Sequence, residues 1–268
     1  MLQSCDVSVI AGGTDLFPAR RGAPNTRSIL DVTKLSDFSG IRLTEQGWRI
    51  GAATTWTEIM SAQLPACFDG LKAAAREIGS VQIQNSGTIA GNICNASPAA
   101  DGVPPLLTLG ALVELVSSKG RRIVSLSEFI TGVRQTELHH GELVSGILIP
   151  NLPDTTCSSF LKIGARRYLV ISIAMVAVVL MVENGKITDA RISVGACSPV
   201  AQRLDALETA LIGRTSDNYS EIIDNTHLDP LLPISDLRGS ADYRTEVVAE
   251  MCIRAIAIAF GEKVHLDE

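Results

Sequence analysis

Apolar and polar positions follow different rhythms along this chain, and each rhythm predicts an element. "DVSVI" (residues 6–10) is a short apolar run that reads as a buried strand leading straight into "AGGTD". "WRIGAATTWTEI" (48–59) reads as a strand edge followed by a helix start, where Thr55 and Glu58 have capping-box spacing. In "FDGLKAAAREIGS", Leu71, Ala74, Ala75 and Ile78 fall on one helical face, with Asp69 at the N-cap and Gly79 past the end. "DGVPPLLTLGALVELVSS" predicts a helix opened by Asp101 and the prolines, then a strand from about Leu112. "LVSGILIP" (143–150) predicts a strand that Pro150 stops.

"NLPDTTCSS" (151–159) has the composition of a linker. Beyond it, "ISIAMVAVVLMVENGKITDARISVGA" reads as a β-hairpin turning at Asn184-Gly185, its first strand apolar on both faces and hence buried. "SPVAQRLDALETALIGR" reads as a helix with Ser198 as N-cap, Pro199 in the first turn and Gly213 after the last. "RTEVVAEMCIRAIAIAF" reads as a second amphipathic helix. Strands and helices mix without the regular βαβ beat of a parallel sheet, so the expected class is α+β in two lobes, 1–154 and 155–268.

Composition narrows the function classes. The 268 residues are 46% apolar and 19% charged, enough for one large or two modest domains. Net charge is −6, and the basic blocks are no longer than the pairs Arg20–Arg21, Arg121–Arg122 and Arg166–Arg167, which sets nucleic acid aside. Six scattered cysteines (Cys5, Cys67, Cys94, Cys157, Cys197, Cys252) form no CxxC pair. That argues against a zinc or iron–sulfur site built by this chain and for a reducing compartment. The N-terminus shows no cationic region followed by a long apolar one, and "LVISIAMVAVVLMV" (169–182) is shorter than the roughly 20 residues of a spanning helix. A cytoplasmic location is the expectation.

Two stretches hold unusual amounts of bare backbone: "VIAGGTDLFP" (9–18) and "SGTIAGNICNASPAADG" (86–102). Glycine-rich turns beside strands let backbone N–H groups converge on one point, a phosphate cradle. One such loop is a weak signal, because turns need glycine too. Two of them suggest a ligand with two phosphates held from both sides. The Rossmann solution is excluded, since no two of the 22 glycines are spaced i, i+2, and neither a Walker lysine motif nor GxSxG occurs. Asp101 has two compatible readings, as a cap of the following helix and as an acceptor of hydrogen bonds from ligand hydroxyls such as a ribose, and the small residues around it favour both. Lys162, beside Arg166 and Arg167, reads on composition as part of a solvated cationic face, and His139–His140 as a solvated loop.

Together, "VIAGGTDLFP", "SVQIQNSGTIAGNICNASPAADGVPPLLTLGALVEL" and "FLKIGARRYLVISIAMVAVVL" resemble the FAD-binding medium subunit of the molybdenum hydroxylases, the xanthine dehydrogenase family. "ARISVGACSPVAQRLDALETALIG" and "SDLRGSADYRTEVV" resemble that family's C-terminal domain, so the likeness spans essentially the whole chain. The resemblance implies a two-lobed FAD-binding domain of the vanillyl-alcohol-oxidase-like type, followed by a smaller α+β domain like that of the carbon monoxide dehydrogenase flavoprotein. It implies that Ile10, Ala11, Gly12, Gly13, Thr14, Asp15 and Leu16 wrap the pyrophosphate. Thr88, Gly91, Asn92 and Asp101 would hold its other side, Ile78 and Val144 would flank the isoalloxazine, and Lys162 would lie near the flavin and favour its reduced anion. No residue of the chain would be catalytic in the hydroxylation. The implied partners are a large molybdopterin subunit and a small subunit with 2Fe–2S clusters, with electrons passing through FAD to NAD+, a quinone or O2. Alternatives are a stand-alone flavin oxidoreductase of the same wider fold, or a flavin-free scaffold subunit.

Overall fold

The computed structural model describes residues 7–19, 27–167 and 169–262, so Cys5, Arg20, Arg21 and His265 lie outside the described residues. The chain runs through β1 (Val7–Ile10), α1 (Leu16–Ala19), β2 (Ser28–Asp31), β3 (Ile41–Thr44), β4 (Gly47–Gly51), α2 (Trp56–Ser61), α3 (Asp69–Glu77), α4 (Val81–Ser86), α5 (Ile89–Asn95) and α6 (Val103–Thr108). There follow β5 (Leu112–Ser117), β6 (Gly120–Ser125), α7 (Leu126–Phe129), β7 (Ile130–Gly132), β8 (Gln135–Thr136) and β9 (Leu143–Ile149). The remainder is β10 (Thr156–Ile163), β11 (Ala174–Glu183), β12 (Lys186–Gly195), β13 (Gln202–Arg203), α8 (Asp205–Leu211) and α9 (Ala241–Ala259). These α+β elements divide between two compact units that interleave in sequence: Met1–Ala62, Ile78–Ser97 and Gly110–Asn151 in the first, Gln63–Glu77, Pro98–Leu109 and Leu152–Glu268 in the second.

The first unit is built on a five-stranded sheet in the order β3-β4-β9-β5-β6, with antiparallel neighbours. Beside it, β1 pairs in parallel with β2. Arg49 of β4 donates to Glu114 of β5 at 2.8 Å and to Ser145 O of β9 at 3.0 Å, all buried, so one ion pair ties three central strands. Burial opposes ionisation of Glu114, but hydrogen bonds from Arg49 and Ser145 hold its carboxyl below the usual range. The predicted capping box is present: Thr55 accepts from Glu58 N at 3.2 Å, and the Glu58 carboxylate accepts from Thr55 N at 2.7 Å. β1 is half-buried rather than buried, as befits one strand of a two-stranded ribbon.

The second unit carries an antiparallel sheet in the order β10-β11-β12-β13. Ala174, Val176, Val178 and Leu180 of β11 join a core with α8 and α9, while Met175 and Ala177 pack with Ala74 of α3. Helices thus cover both faces, which is why β11 reads as an unbroken apolar run. The hairpin turns at Asn184 (φ 51°) and Gly185 (φ 75°), both left-handed as a two-residue type I′ turn requires. α9 buries Val248, Met251, Cys252, Ala255 and Ile256 at helical spacing behind a Ser240 N-cap.

Several sequence expectations shift. The helix expected from Ser198 starts at Asp205: Ser198 Oγ instead donates to Cys197 O and accepts from Leu232 N, and β13 occupies the intervening segment. Asp69 is the first residue of α3, following a 3-10 turn at Ala66–Phe68. The N-cap of α6 is Gly102, without a side-chain bond, because the Asp101 carboxylate is engaged elsewhere in the unit. The stretch 86–102 is not all bare loop either: α5 occupies its middle, with Gly87 as the joint behind α4.

Candidate flavin-binding site

The first glycine loop leaves β1 at Ile10 and turns into α1 within the first unit. Gly13 sits at φ 69°, a left-handed conformation that glycine adopts without steric cost. At Gly12, a Cβ would lie 1.7 Å from Ser86 O and 2.4 Å from Ser86 C, so only glycine lets the loop lie against the end of α4. Among the described residues, the amides of Gly12, Gly13, Thr14 and Asp15 donate to no protein acceptor. Successive unpaired N–H groups on a tight turn form an anion-binding concavity.

The second glycine-rich stretch works differently from the first. Its amides are already spent: Ile89 N donates to Thr54 O at 3.0 Å, Ala90 N to Ala52 O at 3.2 Å, Gly91 N to Thr88 Oγ1 at 3.1 Å and Asn92 N to Thr88 O at 3.1 Å. What it offers a ligand is side chains. Thr88 Oγ1, having accepted from Gly91, keeps its own proton to donate. Asn92 holds a buried Oδ1 with no hydrogen-bond partner, an atom that something outside the chain must complete.

Ile10 to Leu16, Thr88, Gly91 and Asn92 converge on one cavity of about 420 Å³, and Ile78 and Val144 line it too. Trp56, Ile83, Leu138 and Leu143 complete its apolar wall. Cys94 also lines this cavity. The Leu138–Val144 wall is fixed from behind by Glu142, which takes two bonds of 2.7 Å from Arg122 and one of 2.9 Å from His139 N. The Arg122 guanidinium is the main reason that the Glu142 carboxyl falls to about 2.

Asp101 and Lys162 belong to the second unit, and there they pair with each other. Lys162 Nζ lies 2.7 Å from Asp101 Oδ2 and donates to Glu77 O at 3.1 Å, while Ser172 Oγ donates to Asp101 Oδ1 at 2.6 Å. Their side chains are only 4% and 9% exposed, so Lys162 is not on a solvated cationic face. Burial pushes the Asp101 carboxyl up against the pull of Lys162 and Ser172. His139 and His140 are exposed, as expected. Sequence reasoning placed Trp56 only in a helix and missed Leu138 and Asn95 as lining residues; no local pattern marks them, because the cavity wall is assembled from distant segments.

Comparison with known proteins shows what kind of domain carries this cavity. Residues 1–152 match the model of the FAD binding domain in molybdopterin dehydrogenase, and residues 159–259 that of the CO dehydrogenase flavoprotein C-terminal domain. The chain therefore belongs to the family of FAD-binding flavoprotein subunits of xanthine dehydrogenase-like oxidoreductases, the molybdenum hydroxylases. It is 32% identical to the putative xanthine dehydrogenase FAD-binding subunit of Escherichia coli K12 over 94% of this chain and 88% of that one. It is 30% identical to the caffeine dehydrogenase subunit beta of Pseudomonas sp. strain CBB1, over 98% and 90%. The solved carbon monoxide dehydrogenase from Hydrogenophaga pseudoflava superposes with a TM-score of 0.87 at 27% identity, covering 97% of this chain and 92% of the matched chain. The residues present fit FAD: unpaired amides for a diphosphate, an unpartnered Asn92 Oδ1 that can accept from a cofactor hydroxyl or N–H, and an apolar wall for a ring system. Among the described residues no helix is long and apolar enough to cross a membrane.

Proposed function

We propose that this chain is the electron-transfer subunit of a heteromeric molybdenum hydroxylase, assembled with a large molybdopterin subunit and a small 2Fe–2S subunit. The observation that carries the reading is the Gly12–Asp15 amide array opening on an apolar-walled cavity in a chain of this family. Bound FAD would supply the chemistry that couples one-electron delivery from the clusters to an acceptor such as NAD+, a quinone or O2. In this reading the amides of 12–15 and the Thr88 hydroxyl hold the diphosphate and the Asn92 side chain contacts the cofactor beside it, its Oδ1 accepting from a hydroxyl or N–H, with Ile10, Ala11, Leu16 and Gly91 shaping the space around it. Ile78 and Val144 flank the ring and exclude water. Asp101 and Lys162 take part as a pre-formed pair rather than as two free groups. The FAD-binding domain spans 1–154 and the C-terminal domain 155–268, the first domain lending α3 and α6 to the second unit.

No residue of this chain acts on the hydroxylated substrate. Support comes from relatives named for caffeine, glyceraldehyde and carbon monoxide dehydrogenases, whose corresponding chains are 27–31% identical to this one. The test is reconstitution. The flavin-loaded chain alone should hydroxylate neither heterocycle nor aldehyde, yet pass electrons from a chemical reductant to a dye, and activity should appear on adding both other subunits. Metal-free turnover of substrate by this polypeptide alone would overturn the proposal in favour of a stand-alone flavoenzyme.

A further inference from the structure

Arg134 carries no signal in the sequence, yet it joins the two sides of the cavity. It sits in the turn between β7 and β8 at φ 58°, and Ala96, just past α5, sits at φ 45°. Both are left-handed positions that non-glycine residues rarely occupy. Arg134 N donates to Ala96 O at 2.8 Å, which locks the two together. The side chain then turns toward the cavity rim: Nη1 donates to Asn95 Oδ1, approaches Asn95 O at 3.4 Å, and lies 3.4 Å from Asp15 Oδ2. Asp15 belongs to the run of unpaired amides and Asn95 ends α5, and both line the cavity.

The geometry points to Arg134 as a positioning residue, a clasp that holds the Gly12–Asp15 loop against the end of α5 so that the amide array stays set for the FAD diphosphate. This rests on the cavity being the FAD site. An amide array binds an anion well only when its N–H groups are fixed beforehand, since ordering the loop at the moment of binding subtracts from affinity. The guanidinium also offsets the Asp15 carboxylate, which would otherwise repel a phosphate from the rim. Nothing else among the described residues ion-pairs with Asp15.

The experiment measures FAD affinity and dissociation rate on the flavin-stripped full chain, for the unsubstituted protein, Arg134→Gln, Asp15→Ala and the double variant. An exposed ion pair alone is worth up to about fivefold, and the charged hydrogen bond to Asn95 adds to it, so Arg134→Gln should weaken FAD binding about tenfold. Most of that change should appear as faster dissociation. Asp15→Ala should weaken binding at least threefold, although removing a negative charge near a phosphate would by itself strengthen it. The double variant should be no weaker than Arg134→Gln, because the same contact is broken once. A loss under threefold in Arg134→Gln, tighter binding in Asp15→Ala, or losses that multiply in the double variant would each overturn the clasp. If Arg134→Gln fails to fold, as read by circular dichroism, Asp15→Ala decides alone. An unsubstituted chain that takes up no FAD would instead remove the reading on which the clasp rests.

Discussion

Gly12→Ala is expected to strip the chain of FAD. The new methyl would stand 1.7 Å from a backbone oxygen and 3.0 Å from the Gly87 Cα, and neither backbone has a flexible end to swing away. The loop must lift off α4, which scatters the amides of residues 12–15. Losing two or more hydrogen bonds to a charged diphosphate costs about 3 kcal/mol or more, a hundredfold or greater in affinity. Overpacking should also cost about 1–3 kcal/mol of stability, so a circular-dichroism melt should accompany the flavin assay. FAD retained at the unsubstituted level in Gly12→Ala would mean that the loop does not hold the cofactor.

Lys162→Met should produce the largest loss of stability. It leaves the Asp101 carboxylate, 9% exposed, with Ser172 as its remaining hydrogen-bond donor, and deprives Glu77 O of its bond from Nζ. Breaking one side of a buried pair costs about 3–5 kcal/mol, whereas replacing both sides by apolar groups is often neutral. Lys162→Met with Asp101→Leu should therefore recover most of the loss. The pH dependence has a definite sign. Without the lysine, the Asp101 carboxyl titrates still further above its unfolded value, so the folded state binds the extra proton and stability falls as pH rises through that range. The deficit against the unsubstituted protein should narrow on acidification, and a deficit constant from pH 8 to pH 4 would contradict the assignment. Because Asp101 offsets the Lys162 charge at 2.7 Å, the substitution is expected to register in stability before it registers in flavin potential.

How much of this was legible in the sequence depends on the range of the interaction. The Thr55 capping box, the Asn184-Gly185 hairpin and the α9 stripe are local, and each stands where the pattern places it. The AGGTD loop was legible because glycine is required where a Cβ has no room. The stretch from 86 to 102 offers side chains rather than free backbone, which composition does not show: Ala90 is buried while the amides turn inward to Ala52, Thr54 and Thr88. Asp101 looked like a helix cap because capping is what a local pattern can show; its partners stand 61 and 71 residues away. Arg134 was invisible for the same reason, reaching Asp15 across 119 residues. That α3 and α6, which precede residue 154, cover β10, β11 and β12 of the second unit was not legible, since shared burial leaves no mark in a local pattern.

The central claim is that this chain holds FAD in the cavity between the AGGTD loop and α5. Equilibrium titration of the flavin-stripped full chain with FAD, followed by flavin fluorescence, tests it most directly, with FMN titrated in parallel. The account predicts saturable binding of one FAD per chain, release of intact FAD on denaturation, and much weaker binding of FMN, which lacks the diphosphate. Absence of saturable FAD binding, or equal affinity for FMN, would contradict it.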